Sequence, residues 1–322
     1  MAIVAGIDEA GFGPVLGPLV VSASAFDVPD ELVDVSMWDL LAGAVLRSPT
    51  RKRTGIAVAD SKKLYSRRTG KSLEHLERGV LGFLATRASP PPDLGALLDA
   101  VAPQARAHAA GYPWHADCAL PLPRSVSAEE IPLAANSLRV AMRQSELSLR
   151  NLRAEPVFVG EYNRLVEGTD NKSAALFSVT SRLLDGVWRS ASGGLLRIWV
   201  DRQGGRTHYL PHLQRIFPGC RFKVIDESET LSAYRISDDR RMAEIVFATE
   251  AEDRHLPVAL ASMLSKLLRE LFMEQFNAYW TQQVPGLTPT AGYYTDGNRF
   301  FGEIRDAIRQ RNLDERLIYR SR

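Results

Sequence analysis

Cysteine is almost missing from this 322-residue chain. Cys118 and Cys220 are far apart and match no metal or redox spacing, so a disulfide framework or thiolate metal centre is excluded and a reducing compartment is expected. Histidine is scarce as well, with six in all. His208 and His212 stand four apart, but Pro211 interrupts a helix between them, so no zinc site is read there. Charge of either sign is not in excess: 40 Lys and Arg against 38 Asp and Glu leave +2, which excludes a strongly basic nucleic-acid binder and makes any basic face local. No apolar run approaches a membrane span, and no basic-plus-apolar leader precedes the first strand. A soluble cytoplasmic protein with no membrane partner is expected. There is no internal repeat.

What the chain does have is 45% hydrophobic residues, enough for a substantial core in one large domain or two ordinary ones. Basic residues concentrate from Arg51, Lys52 and Arg53 through Lys62, Lys63, Arg67 and Arg68. They recur in the tail at Arg305, Arg309, Arg311, Arg316, Arg320 and Arg322, where a solvated face or disordered tail is expected. The most informative stretch is Gly6-Ile7-Asp8-Glu9-Ala10-Gly11-Phe12-Gly13-Pro14. Ala2 to Ile7 reads as a short buried strand, and two adjacent carboxylates end it before a glycine turn. Buried acids need a partner, for which a divalent cation is a good candidate; a hairpin with solvated acids is the alternative. The glycines let backbone approach a ligand closely.

Further along, residues 1 to about 28 read as two strands joined by the glycine turn. Ser66 to Arg87 has helical spacing, with Leu73, Leu76, Val80, Leu81 and Leu84 on one face. Ser89-Pro90-Pro91-Pro92 breaks the chain. The stretch to Pro123 carries Tyr112, Trp114 and His115, as a lid, an added subdomain or a surface excursion. Ser127 and Glu130 form a capping-box pattern before a helix with Leu138, Met142, Leu149 and Leu152. Val157 to Val159 is a short strand or a turn. Asn171 opens a helix reaching Trp188, and Leu195 to Val200 is a strand ending at Asp201. Arg206 to Ile216 is partly helical, Phe222 to Ile225 and Ala243 to Thr249 are strands, and Pro257 to Trp280 is a long amphipathic helix. Strands alternating with helices argue for an α/β sheet covered on both faces.

Five segments, in order, resemble one family. GIDEAGFGPVLGPLVVSA is similar to the opening motif of type 2 ribonuclease H, usually written GIDEAGRGPLAGPVVAAA. Ala59 to Leu64 resembles its DSKKL element, and Ile198-Trp199-Val200-Asp201 the strand that ends in its third acid. Asp253 to Pro257 with Ala261 to Lys266 resembles its D-x-x-x-P…AASI-x-AK element, and Gly292-Tyr293-Tyr294-Thr295 its GYGT element. The matches leave out roughly residues 87–155. The resemblance implies a ribonuclease H-like mixed five-stranded sheet with helices on both faces, the first three strands antiparallel and the next parallel to the first. It also implies one catalytic domain over 1–322, an insertion at about 88–155 and a C-terminal helical extension at about 281–322.

The resemblance further implies a metal site at Asp8, Glu9, Asp201 and Asp253. Glu9 points away from Asp8 in a regular strand, so it has to sit where the strand bends into the turn. Of the crowded Glu250, Glu252 and Asp253, only Asp253 keeps the family's distance to Pro257; Glu250 or Glu252 replaces it if the loop shifts. Converging carboxylates suit two divalent cations, Mg2+ or Mn2+, about 3.5–4 Å apart, which activate water and stabilise the leaving oxygen of a phosphodiester. Their repulsion raises pKa values without metal. For nucleic-acid contacts the resemblance points to Gly11, Phe12 and Gly13, to Lys62 and Lys63, to Ser262 and Lys266 on one helix face, and to Tyr293 with Tyr294 as substitute. In the family the glycine turn reads the ribose 2′-hydroxyl through backbone groups; here Phe12 stands in place of the motif's arginine. The activity implied is hydrolysis of the RNA strand of RNA–DNA hybrids, or cutting beside ribonucleotides in DNA, leaving a 3′-hydroxyl and a 5′-phosphate. No obligate protein partner is evident. The alternatives are a non-catalytic or weakly catalytic nucleic-acid binder on this fold, and a same-fold nuclease with another substrate.

Overall fold

The alternation of buried and half-buried residues in Leu195–Asp201 makes a strand with one fully covered face, and similar segments build the main sheet. The computed structural model describes residues 1–50, 55–65 and 72–321. In chain order the elements are β1 (Ala2–Ala10), β2 (Leu19–Val28), α1 (Met37–Leu40), β3 (Val45–Leu46), β4 (Ile56–Ala57), α2 (Ser61–Leu64), α3 (Glu74–Ala85), α4 (Leu94–Val101), α5 (Ala105–Ala109), α6 (Glu130–Gln144), β5 (Ser148–Val157), α7 (Val159–Thr169), α8 (Lys172–Ser190), β6 (Leu195–Asp201), α9 (Leu210–Ile216), β7 (Arg221–Glu227), β8 (Leu231–Ser237), β9 (Met242–Ala248), α10 (Ala251–Arg254), α11 (Leu256–Gln283) and α12 (Tyr294–Gln310).

The main sheet has the order β5-β2-β1-β6-β9-β8-β7. β1 pairs antiparallel with β2, and β2 with β5; β6 runs parallel to β1, and β9 parallel to β6. These five strands are the mixed ribonuclease H-like sheet that was expected. The sheet nevertheless has seven strands rather than five, because β8 and β7 add an antiparallel hairpin beyond β9.

Helices cover both faces. On one, α8 and α9 pack Leu176, Val179, Leu184 and Leu213 against Ile7, Val21 and Ile198. On the other, α11 crosses β1 and β2. Gly6 permits this crossing, since a Cβ there would stand 2.1 Å from the backbone nitrogen of Val258. No helix among the described residues is long and apolar enough to cross a membrane.

One expected boundary shifts, and two stretches pack differently from expectation. The stretch at 148–155 is not inserted: it lies in β5, the third antiparallel strand of the sheet. The rest of the insertion is built into the core, where Tyr112, Trp114 and His115 are buried against Phe158, Phe272, Phe276 and Trp280. They form neither a lid nor a surface excursion. The tail is also ordered: Ile304, Ile308 and Ile318 are buried, and so is Arg320. Arg51, Lys52, Arg53, Arg67, Arg68 and Arg322 of the basic stretches lie outside the described residues, as does the start of the helix expected at Ser66.

Candidate active site: four carboxylates at the sheet end

Asp8 and Asp201 meet because their strands are parallel neighbours, with Ile7 level with Val200 and the acids one step further on. The β1–β2 ladder continues unbroken through Glu9 to Ala10, so the bend expected at Glu9 comes later, at Gly11, whose φ is +88°. Glu9 leaves the regular strand on the opposite side from Asp8, yet stays within electrostatic reach of Asp201, Lys62 and Glu252.

The fourth member is Glu252, not Asp253. Glu250 adopts a left-handed φ of 53° and starts the short α10, and successive residues then point in different directions. Glu252 is buried and hydrogen-bonds Asp201. Asp253 turns outward and pairs with Lys63 Nζ at 2.6 Å. The D-x-x-x-P spacing therefore selects the wrong member of the acidic run as the acid that joins this group.

Burial and mutual repulsion raise the proton affinity of all four. The Asp8 carboxyl is pushed well above its ordinary value, first by burial and then by Glu9. Burial and then Asp201 push Glu9 up to about 8; burial and then Asp8 push Asp201 to about 6; burial and then Asp201 push Glu252 to about 7. Hydrogen bonds oppose this without reversing it: Ser262 donates toward Asp8, and the N–H of Ala251 donates to Asp201 Oδ1 at 3.2 Å. Burial works against the charge on Lys62, but Asp60, Asp8, Glu252 and Asp201 together raise its pKa, so it stands as a cation facing the acids.

Oε2 of Glu9 and Oε2 of Glu252 are buried without a hydrogen-bond partner. Buried orphan oxygens in an all-carboxylate group are what a hard divalent cation would satisfy. Among the described residues no three His, Cys, Asp or Glu side chains are arranged to hold one ion as they stand. The all-oxygen donor chemistry of the four carboxylates fits Mg2+ or Mn2+.

The other sequence candidates divide. Ser262 reaches the site and also accepts from the N–H of Ser61 at 3.5 Å, tying α11 to α2. Lys266 does not face the acids: it is held by Glu270 at 2.6 Å and lies over the ring of Tyr65. Lys63 is occupied by Asp253. Phe12 is half-buried and packs on the core, while Gly13 is exposed. Tyr293 and Tyr294 are 55% and 52% exposed. They stand beside the glycine turn, because the carbonyl of Gly292 accepts from the N–H groups of Val15 at 2.8 Å and Leu16 at 3.2 Å. Ser265, one turn on from Ser262, was missed; its hydroxyl donates to the Asp8 carbonyl at 3.1 Å. Its spacing on the helix face was the available signal.

The order and directions of β5, β2, β1, β6 and β9, with helices on both faces, are those of a ribonuclease H-like α/β fold. No family model matches the sequence, and no curated protein matches it. Similar solved structures include ribonuclease HII from Archaeoglobus fulgidus in its PCNA complex, at 16% identity and a TM-score of 0.45, covering 99% of this chain and 94% of that one. Ribonuclease H2 from Pyrococcus horikoshii OT3 is 14% identical at 0.42, over 98% and 92%. Bst-ribonuclease HIII in complex with Mn2+ is 15% identical at 0.43, over 99% and 66%.

Proposed function

We propose that this chain is a divalent-cation-dependent nuclease that hydrolyses the RNA strand of RNA–DNA hybrids, or cuts beside ribonucleotides in DNA, leaving a 3′-hydroxyl and a 5′-phosphate. The observation that carries the reading is the group of Asp8, Glu9, Asp201 and Glu252, drawn from two strand ends and a helical turn, buried, mutually repelling and with two orphan oxygens.

These four carboxylates would hold the cations. A bound pair supplies an activated water and a counter-charge for the leaving oxygen. The Glu9 N–H donates to Asp8 Oδ1 at 2.7 Å, the Ser262 hydroxyl beside it favours the charged form of Asp8, and Ser265 secures the backbone behind it. Lys62, exposed and within electrostatic reach of the acids, can hold a non-bridging phosphate oxygen. The amides of the Gly11–Gly13 turn offer donors to ribose or phosphate, and the exposed ring of Tyr293 offers a face to the sugar. Phe12, packed on the core, supplies no charge.

The test is incubation of the wild type with a hybrid, a duplex holding one ribonucleotide, and plain DNA, each with Mg2+ or Mn2+. Cleavage of the first two with 5′-phosphate products is expected. Binding without cleavage would favour the non-catalytic reading, and cutting of plain DNA alone a different substrate.

A further inference from the structure

The turn after β1 is gripped from beneath by two buried guanidinium groups. Arg269 of α11 donates to the carbonyl oxygens of Pro18 at 2.7 Å, Ala291 at 3.1 Å and Leu16 at 3.3 Å. Arg320, beyond α12, donates through Nε and Nη2 to Gly17 at 2.8 and 2.5 Å, and through Nη1 to Gly11 at 2.5 Å and Pro14 at 3.2 Å. Its own N–H donates to the Val15 carbonyl at 3.0 Å. Every carbonyl from Pro14 to Pro18 is thus engaged. Both arginines are only 2% exposed. Tyr162 lies 4.7 Å under the Arg320 guanidinium, and Asn163 pins the tail by donating to the carbonyls of Arg316 and Tyr319 at 2.8 and 2.9 Å.

The consequence is on the other side of the turn. Drawing carbonyls inward leaves amides to point elsewhere. Val15 and Leu16 give theirs to Gly292, but among the described residues nothing accepts from the N–H of Phe12 or Gly13. Above Gly13 the surface is open, with no atom within 4 Å of where a Cβ would stand. Gly11 cannot be replaced without forcing its Cβ to 2.8 Å from Arg269 Cδ. No ion pair with a carboxylate is made by Arg320 among the described residues, and burial and then Arg269 lower its pKa to about 9. Burying two guanidinium groups is costly for a fold to maintain, and the cost is offset here by the carbonyls they hold.

We propose that Arg320 and Arg269 are positioning residues that hold the Gly11–Pro18 turn with the Phe12 and Gly13 amides presented to the sugar–phosphate backbone of a nucleic acid. The C-terminal segment, remote in sequence from the acids, thereby controls substrate affinity. The inference rests on the nucleic-acid reading above.

The experiment compares wild type, Arg320→Ala and Arg320→Lys, with Arg316→Ala as an exposed control from the same segment. Three quantities are measured: anisotropy of a labelled RNA–DNA hybrid without divalent cation, Mn2+ affinity by electron paramagnetic resonance, and amide exchange of residues 11–17. For Arg320→Ala, hybrid affinity is expected to fall about tenfold, the size of a lost set of backbone contacts. Exchange in the turn should speed up and Mn2+ affinity should hold. Arg320→Lys, keeping the charge without the fork, should fall between. A folded Arg320→Ala protein with wild-type hybrid affinity overturns the proposal, as does a parallel loss of hybrid and Mn2+ affinity. If Arg320→Ala does not fold, Arg320→Lys decides by the same two criteria. A wild type that binds no hybrid overturns the nuclease reading and this proposal with it; a normal wild type matched by its variants overturns this proposal alone.

Discussion

One helix, α11, supports two regions that bury opposite things. Toward its N-terminus, Ser262 and Ser265 face Asp8 and the acids around it. Toward its C-terminus, Phe272, Phe276 and Trp280 close over Tyr112, Trp114 and His115 of the insertion. The aromatic region is chemically quiet: burial holds the His115 pKa down at about 3, so its ring stays neutral at working pH. The acidic region is the reverse, with four carboxylates whose proton affinities burial and repulsion raise. Packing accounts for the rings of the first, although His115 Nδ1 and Trp280 Nε1 are buried there without a hydrogen-bond partner; it does not account for the four carboxyls of the second. Unsatisfied buried charge is the mark of a site, whereas buried aromatic area, however unusual in sequence, is a mark of stability.

The sharpest way to break this contrast is at the acids. Asp8→Asn and Glu252→Gln should each lower cleavage at saturating Mg2+ by at least about a hundredfold, the scale of removing one electrostatic element of a reacting centre. The fold should stay intact by circular dichroism. Asp253→Asn should change the rate less than about threefold, because its partner is Lys63 on the surface. Equal losses at Glu252 and Asp253 would erase the assignment of the fourth acid.

In the aromatic region the effects should reverse. Trp114→Ala is expected to cost about 3–5 kcal/mol of stability in urea melts, as for other buried large-to-small changes. The kcat of the remaining folded protein should not move. A changed substrate range would mean that the insertion touches nucleic acid after all.

The two regions should also part in their response to pH. Glu9, Asp201 and Glu252 have folded pKa values raised above their unfolded ones, to about 8, 6 and 7. The folded state therefore binds more protons across that window, so stability without metal is fullest below the ordinary carboxyl range and falls as pH rises toward 8. Mg2+ or Mn2+ should restore it, raising the melting temperature more at pH 8 than at pH 6. A metal-free melting temperature that climbs over this range would contradict the raised values.

The smallest effect is expected at Phe12. Phe12→Arg should steepen the salt dependence of hybrid binding by about one counterion, if the new side chain reaches phosphate. No change in slope would mean that the position belongs to the core on which Phe12 packs.

Much of this was legible in the chain. The glycine turn, β1, β2, β6, β9 and the long α11 follow from apolar spacing and from motifs in order, and Asn171 caps α8 as its residue type requires. Other parts were hidden for identifiable reasons. Leu149 and Leu152 are three apart and read as helical, but a bulge in β5 skips Arg150, so both face the same side of a strand. β8 carries only Tyr234 and Ile236 as large apolar residues on its covered face. α7 starts without a side-chain cap at Phe158.

Local chemistry determined which residue types were available: an acid pair at a strand end, glycines where the backbone must turn, serines one turn apart on a helix. Whether Glu252 or Asp253 joins Asp201 was settled by a left-handed Glu250 at the start of α10, which packs against α11 and β6. That Arg320 belongs to the turn after β1 was likewise decided by the tertiary structure alone, since the two lie at opposite ends of the chain. Sequence spacing governs what neighbours along the backbone can do, while contacts between distant segments depend on which surfaces the folded core brings together.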